Sequence, residues 1–165
     1  RRPMRDWLVA GAVVESPDGL LLVQNRRRDG RVDWSPPGGV VDEGETVLGG
    51  LTREVREETG LTVTDWSESI YEITADAPGM GWNLRVVVHQ ALAWHGDLTV
   101  DDPDGIVVDA QYVAADCCGD HLSGSPTWVR DPLGAWLAER WVERRAFRYL
   151  VEGTSFGDLR VLAVP

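Results

Sequence analysis

The chain has 165 residues, of which 43% are hydrophobic and 26% charged, a globular composition with enough apolar side chains to build one substantial core. Its formal net charge of -11 argues against a general nucleic-acid binder or a protein of anionic membrane surfaces, but it is compatible with a small phosphate ligand. No apolar run approaches the ~20 residues of a membrane-spanning helix. We therefore expect a single domain over residues 1–165, cytoplasmic and without a membrane partner.

The basic and sulfur-containing residues narrow the available chemistry further. All sixteen basic residues are arginine, so any contact with phosphate must come from a guanidinium, a backbone amide or a bound metal. The only two cysteines, Cys117 and Cys118, are neighbours, and a disulfide between neighbours is strained. No spacing typical of a zinc site is present.

Two apolar runs open the chain, over residues 7–14 and 20–24, and the turn-forming segment 16–19 separates them. This arrangement predicts a β-hairpin or a close equivalent. A basic turn follows, and Arg26 lies in it, just after the second apolar run. Such clusters are usually solvated surface, so Arg26 alone indicates no function.

A proline and glycine loop comes next, Ser35-Pro36-Pro37-Gly38-Gly39. The prolines exclude a helix, whereas the two glycines let the backbone approach a ligand closely. Trp34, directly before this loop, could stack on a base or pack beneath the loop. Packing is the favoured interpretation for a large aromatic residue in a small domain.

The segment after this loop carries one apolar stripe at helical spacing, formed by Val47, Leu48, Leu51 and Val55. Thr46 is a good N-cap and Gly60 a good helix end, so we predict a helix between them. Glu54, Glu57 and Glu58 converge on one patch of this helix.

Three carboxylates late in one helix repel one another and face the negative end of the helix dipole. A divalent cation of the Mg²⁺ type would relieve both effects, because hard cations select carboxylate oxygen. The alternative is a solvated acidic face on which Arg53 compensates Glu57 four residues later.

The remaining chain alternates strands and turns before a second helix. Strands are predicted over residues 84–94 and 106–113, with an acidic turn over 101–105 between them. A helix is predicted over 126–143, with Pro132 in its first turn, and a hairpin over 147–151 and 159–164. We interpret the apolar side of this helix as core packing, with a homodimer face as the rival interpretation. The order of elements indicates a mixed α/β domain with a helix and β-hairpin extension at about 126–165.

The loop and the first helix together resemble a known family. Gly39, five residues, Glu45, seven residues, Arg53-Glu54-Val55, one residue, Glu57-Glu58, one residue and Gly60-Leu61 match the signature of the Nudix (MutT-like) hydrolases at every defined position over 23 residues. The resemblance implies an α/β/α sandwich with a mixed β-sheet. It also implies metal-dependent hydrolysis of a phosphoanhydride bond in a nucleoside diphosphate derivative, with Mg²⁺ or Mn²⁺ as the cofactor.

The resemblance also assigns expected roles to residues. Glu57 and Glu58 would bind the metal together with the carbonyl of Gly38, and Glu54 would be a further ligand or the base that activates water. Arg53 and Glu45 would orient these carboxylates. We therefore expect Glu54, Arg53, Glu45 and Glu57 to serve catalysis.

Other roles lie outside the motif. Asp104, or Asp102 in its place, would add an acid to the metal site from the loop before the strand predicted over 106–113. Arg26 would contact substrate phosphate, while Gly39 and Trp34 would border the substrate.

The substrate stays open at the level of sequence. A nucleoside triphosphate, including an oxidised one, and ADP-ribose are equally compatible, because Pro78 lies seventeen residues beyond Leu61, near but not at the spacing of ADP-ribose-cleaving members. The net negative charge and the absence of lysine disfavour nucleic acid as a partner. The alternative function is a nucleotide-binding or regulatory module without activity, although no carboxylate of the motif is missing.

Overall fold

A computed structural model describes residues 3–165, so the first two residues of the predicted domain lie outside the described part. The described elements, in chain order, are β1 (Arg5–Val13), β2 (Glu15–Ser16), β3 (Gly19–Arg26), β4 (Val32–Ser35), β5 (Gly38–Val40), α1 (Val47–Thr59), β6 (Thr62–Ala77), β7 (Trp82–His95), β8 (Val107–Val113), α2 (Cys118–Leu122), α3 (Thr127–Glu139), β9 (Arg145–Glu152) and β10 (Arg160–Val164). A single 3₁₀ turn, Ala115–Cys117, precedes α2.

The larger sheet has six strands in the order β10-β9-β6-β7-β1-β5. Within it β1 runs parallel to β7 and β6 runs parallel to β9, while the other neighbours are antiparallel. The predicted mixed α/β fold is therefore confirmed. The central position of β7 agrees with the continuous Val86-Val87-Val88 run, since a strand covered on both faces needs no polar alternation.

The smaller sheet places β3 between β4 and β8, with the two-residue strand β2 beside the start of β3. The prediction of a hairpin between the first two apolar runs is wrong in its pairing. Only β2 folds back on β3, whereas β1 pairs with β7 and β5 in the other sheet. Each of the two long strands has a partner far along the chain, β7 for β1 and β8 for β3, and such long-range pairing is not encoded in the local turn signal.

Helices cover opposite faces of this assembly, as alternation along β3 shows. Leu21 and Val23 belong to an apolar cluster with Leu51 and Val55 of α1. Leu20 and Leu22 point the other way, into a second cluster that contains Leu133 and Trp136 of α3. Because both sides of β3 are buried, the chain forms the expected α/β/α sandwich.

The C-terminal segment continues the large sheet. α3 packs its apolar side into the core, with Leu133 fully buried, as the core-packing interpretation predicts. Pro132 does not lie in the first turn of this helix, which is a correction: it is the sixth helical residue, and Pro126 precedes the helix. Because Pro132 has no N–H, the carbonyl of Trp128 receives no i+4 hydrogen bond.

The hairpin β9–β10 forms as predicted, and β9 also pairs in parallel with β6. The hairpin therefore extends the large sheet beyond β6, and β10 and β5 form its two edges. Among residues 3–165, no helix is both long and apolar enough to cross a membrane.

Candidate active site

The helix α1 begins and ends where its caps predict. The Thr46 hydroxyl accepts a hydrogen bond from the Gly49 amide at 3.0 Å. At the other end Gly60 takes a left-handed conformation with φ of 81° and donates to the Arg56 carbonyl. The C-terminal half of this helix presents Glu54, Glu57 and Glu58 next to β5.

The glycine strand β5 fits against these carboxylates because its residues have no side chain. A Cβ atom on Gly39 would lie 2.6 Å from the Glu54 Cδ. One on Gly38 would lie 2.1 Å from the Ala10 carbonyl oxygen of the neighbouring strand β1. The two glycines therefore let α1 and β1 close on the loop from both sides, as expected for a backbone that borders a ligand site.

Arg53 is the centre of the ion-pair network in this site. Its Nε and Nη2 donate to the two oxygens of Glu45 at 2.8 and 2.9 Å, a bidentate pair. Its Nη1 reaches Glu54 at 3.1 Å and Glu57 at 3.2 Å, and Nη2 also lies 3.2 Å from Asp42. The hydrogen bonds from Arg53 lower the pKa of Glu45 to about 2. Arg53 is thus a fixed cation that orients the carboxylates around it.

Glu58 is buried, with 6% of its surface exposed, and no arginine pairs with it among the described ion pairs. Loss of hydration raises its pKa to about 9, and the negative charges of Glu54 and then Asp102 act in the same direction, against the opposing hydrogen bond from the Gly38 backbone. Burial likewise raises the pKa of Glu54. The site therefore concentrates more negative charge than its own cations neutralise.

The donor set suits a hard divalent cation by its chemistry. Glu54, Glu57 and Glu58 supply carboxylate oxygens, and the backbone at Gly38 lies against Glu58. In the described part of the chain no three carboxylate, imidazole or thiol groups converge tightly enough to enclose an ion. Rotation of the carboxylates now held by Arg53 would be part of binding. The observation that favours a cation is the burial of Glu58 beside the negative charges of Glu54 and Asp102.

These groups line a cavity of about 540 Å³, called the carboxylate cavity below. Gly38, Gly39, Arg53, Glu54, Glu57, Glu58 and Asp104 all border it, as does Asp102. Glu45 does not line the cavity, but it binds Arg53, which does. The structure thus brings together most of the residues that the sequence singles out.

The acidic loop before β8 offers two aspartates to this cavity. Asp102 accepts hydrogen bonds from the amides of Asp104, Ile106 and Val107 at 3.2, 3.0 and 2.9 Å, which folds the loop around its carboxylate. The charge of Asp102 is also among the main causes that raise the pKa of Glu58. The geometry consequently couples Asp102 to the carboxylate cluster more directly than Asp104.

Arg26 and Arg27 occupy different surroundings. Arg26 lies outside the carboxylate cavity and lines a separate depression with Arg27, Arg28 and Asp104. Arg27 lines the carboxylate cavity itself, and Asp33 holds it by a bidentate pair at 2.7 and 2.9 Å. Arg26 is the last residue of β3, and Arg27 lies just beyond the strand, where Asp33 of β4 holds it.

A second cavity of about 270 Å³, called the apolar cavity below, shares Asn25, Arg27, Gly38 and Gly39 with the carboxylate cavity. Its other walls come from the large sheet and from the first turn of α3, including Val9, Ile73, Leu84, Val86, Val88, Trp128 and Val129.

Trp34 borders neither of these two cavities. It is partly buried against the apolar core, and its ring meets that of His121 edge to face at 5.1 Å. The Ser125 hydroxyl donates to the Trp34 carbonyl, which ties the segment before α3 to β4. Trp34 therefore packs, as the favoured interpretation predicts.

Sequence reasoning did not find Asn25, Arg27 or Trp128 as parts of this site. The signal for the first two is their position directly beside Arg26, at the end of the second apolar run. Trp128 enters the site only because α3 folds back over the large sheet, and no local pattern reports that.

Comparison with known proteins gives a consistent picture. The family described as the NUDIX domain matches residues 6–122. The human protein named 8-oxo-dGDP phosphatase NUDT18 is 38% identical over 55 residues, which cover 33% of this chain and 17% of that protein. A Mycobacterium tuberculosis protein named putative 8-oxo-dGTP diphosphatase 2 is 29% identical over 125 residues, covering 65% of this chain and 84% of that protein.

Among solved structures, the MutT protein from Bacillus halodurans superposes with a TM-score of 0.65 at 21% identity, covering 94% of this chain and 97% of that one. This likeness concerns the fold. For the human, mouse and Streptomyces ambofaciens relatives, the aligned part covers between 17% and 46% of the relative's length.

Proposed function

The chain belongs to the NUDIX family, and on that premise we propose that it hydrolyses a phosphoanhydride bond in a nucleoside diphosphate derivative, with Mg²⁺ or Mn²⁺ as cofactor. One observation carries the proposal. Glu58 is buried beside Glu54 and Asp102, and the loss of hydration together with their negative charges raises its pKa to about 9. A cluster of this kind is costly unless it serves to bind a cation.

Glu57, Glu58 and the Gly38 carbonyl would hold the metal, with Glu54 as a further ligand or as the base that takes a proton from water. A bound divalent ion supplies positive charge next to the phosphate oxygens and acidifies water. The hydrogen bonds from Arg53 keep Glu54 and Glu57 close to this position. Glu45 in turn fixes Arg53, so that the carboxylates start near their working arrangement.

Two arginines are candidates for the substrate phosphates. Arg27 lines the carboxylate cavity and is held by Asp33, so its remaining N–H groups are oriented in advance. Arg26, the residue expected from the sequence, lies at the adjoining depression and would meet only a longer phosphate chain. Asp102 supports the metal site from the loop before β8, and Asp104 lines the same cavity.

The substrate that we favour is a nucleoside di- or triphosphate, including one with an oxidised base. Two relatives carry names that specify 8-oxo-dGDP and 8-oxo-dGTP. An arginine-lined depression directly beside the carboxylate cavity also suits a ligand with extra phosphate more than a neutral sugar such as the terminal ribose of ADP-ribose.

The test is a panel of nucleotides, with release of phosphate or pyrophosphate measured with and without Mg²⁺. We expect metal-dependent release from nucleoside di- or triphosphates. Clear nucleotide binding without product from any member of the panel would instead identify an inactive binding module. Preferential cleavage of ADP-ribose would retain the reaction class and reject the substrate.

A further inference from the structure

Asn25 stands at the boundary between the carboxylate cavity and the apolar cavity and lines both of them. Only 7% of its surface is exposed, which is unusual for an asparagine. Its Nδ2 donates two hydrogen bonds, to Asp33 at 3.1 Å and to Ser35 at 2.9 Å. Both hydrogens of the amide are therefore used within the protein.

These partners fix which way the amide points. The Asp33 carboxylate, which also pairs with Arg27, only accepts hydrogen bonds, so the atom facing it must be the nitrogen. The side-chain oxygen of Asn25 is then directed away from Asp33. No donor within residues 3–165 pairs with this oxygen, and it is not sealed in the core either. This oxygen is a hydrogen-bond acceptor with a fixed orientation, and it lies in the wall that the two cavities share.

The apolar cavity beyond it has the properties of a site for a flat heterocycle. Its volume is about 270 Å³, its walls include six Val, Ile and Leu side chains, and Trp128 contributes an aromatic ring. The ring of Trp82 meets Trp128 edge to face with centroids 6.1 Å apart, which supports the position of Trp128.

We propose that Asn25 is a specificity-determining residue: its side-chain oxygen accepts an N–H from the substrate's base when the base occupies the apolar cavity. Asp33 is the positioning residue that orients this amide. The proposal rests on the proposed function, because it assumes that the phosphates lie in the carboxylate cavity. An acceptor held in this way favours bases with an N–H donor. A base of the same shape without a donor is disfavoured, because it would cover the Asn25 oxygen and leave it without a hydrogen bond.

The experiment compares adenosine and guanosine triphosphates with purine riboside triphosphate, whose base has the same rings and no N–H donor. For the wild-type protein we expect kcat/KM to be about ten-fold or more lower for the donor-free nucleotide than for the better of the two others. Asn25→Leu, which keeps the side-chain size but has no acceptor, should bring this ratio close to one. Gln24→Leu is the matched control, since Gln24 lies on the other side of β3 and outside both cavities, and it should leave the ratio unchanged.

Equal kcat/KM values for the wild type, or a ratio that persists in Asn25→Leu, would overturn the proposal. The wild-type comparison decides even if Asn25→Leu does not fold. A further comparison uses nucleotides without the ribose hydroxyls. If their removal lowers kcat/KM in the wild type but not in Asn25→Leu, the Asn25 oxygen contacts the sugar, and the proposed contact with the base is rejected. If no nucleotide is hydrolysed, the proposed function fails. The role of Asn25 is then still tested by the ratio of binding affinities for the same nucleotides, measured by tryptophan fluorescence.

Discussion

The two cavities share a wall of four residues, yet they are built from opposite chemistry. Most charged side chains of the carboxylate cavity come from one segment of 23 residues, 39–61, and Arg27, Asp102 and Asp104 join them from outside it. The apolar cavity takes its walls from β1, β6, β7 and α3, which are far apart in sequence. The difference indicates that the reaction is determined by a local segment, whereas the choice of ligand is determined by how distant elements assemble.

The largest effect should come from Glu58→Gln, which breaks the carboxylate cavity alone. The variant should fold, because a glutamine resembles the protonated form that burial already favours at this position. We expect kcat to fall about 1000-fold as a metal ligand is lost. Steady-state rates measure this, with Glu68→Gln at an exposed position of β6 as the control. A rate within a few-fold of wild type would exclude Glu58 from the reaction.

Gly39→Ala tests the close approach of loop and helix. The new Cβ would lie 2.6 Å from the Glu54 Cδ, so the carboxylate must move. We expect activity to fall about 100-fold, because misplacement by about 1 Å has effects of this size. Gly134→Ala is the matched control, since nothing lies near its added methyl group. It should leave activity intact and raise the free energy of unfolding by about 0.5–1 kcal/mol.

If Gly39→Ala retains the wild-type rate, the position of Glu54 against the loop has no role in the reaction. A crystal structure of that variant would then show a displaced Glu54 carboxylate in a protein that is still fully active.

Trp128→Ala alters the apolar cavity and leaves the carboxylates in place. We expect KM to rise about ten-fold with little change in kcat, because the lost contact is present before and during the reaction. Trp128→Phe keeps an aromatic wall and should recover most of the affinity. A fall in kcat without a change in KM would mean that the two cavities are not separable in the way described.

The smallest expected effect concerns stability without metal. Because the folded protein holds the Glu58 proton up to about pH 9 while the unfolded chain releases it near pH 4.5, unfolding becomes easier as pH rises between these values. The melting temperature without metal should therefore decline from pH 5 to pH 9, and less steeply in Glu58→Gln. Thermal unfolding followed by circular dichroism measures both slopes. Identical slopes would contradict the assignment of the raised pKa to Glu58.

The same contrast explains how much the sequence predicts. Thr46, the apolar stripe and Gly60 define α1 completely, because helix spacing and caps are local. The predicted pairing of the first hairpin is wrong because β1 and β3 pair with strands up to about 90 residues away, β7 and β8. The composition of a strand does not indicate which other strand it pairs with. For the same reason the motif revealed Glu54, Glu57 and Glu58 but not Trp128.

The most direct test of the central claim, that the carboxylate cluster is a cation site, is calorimetric titration of Mn²⁺ into the metal-free protein. At pH 7.5, in two buffers with different heats of ionisation, binding should release protons, because Glu58 must lose its proton to act as a ligand. The observed heat should then depend on the buffer, and the dependence should disappear in Glu58→Gln. Absence of binding, or binding with the same heat in both buffers, would contradict the account.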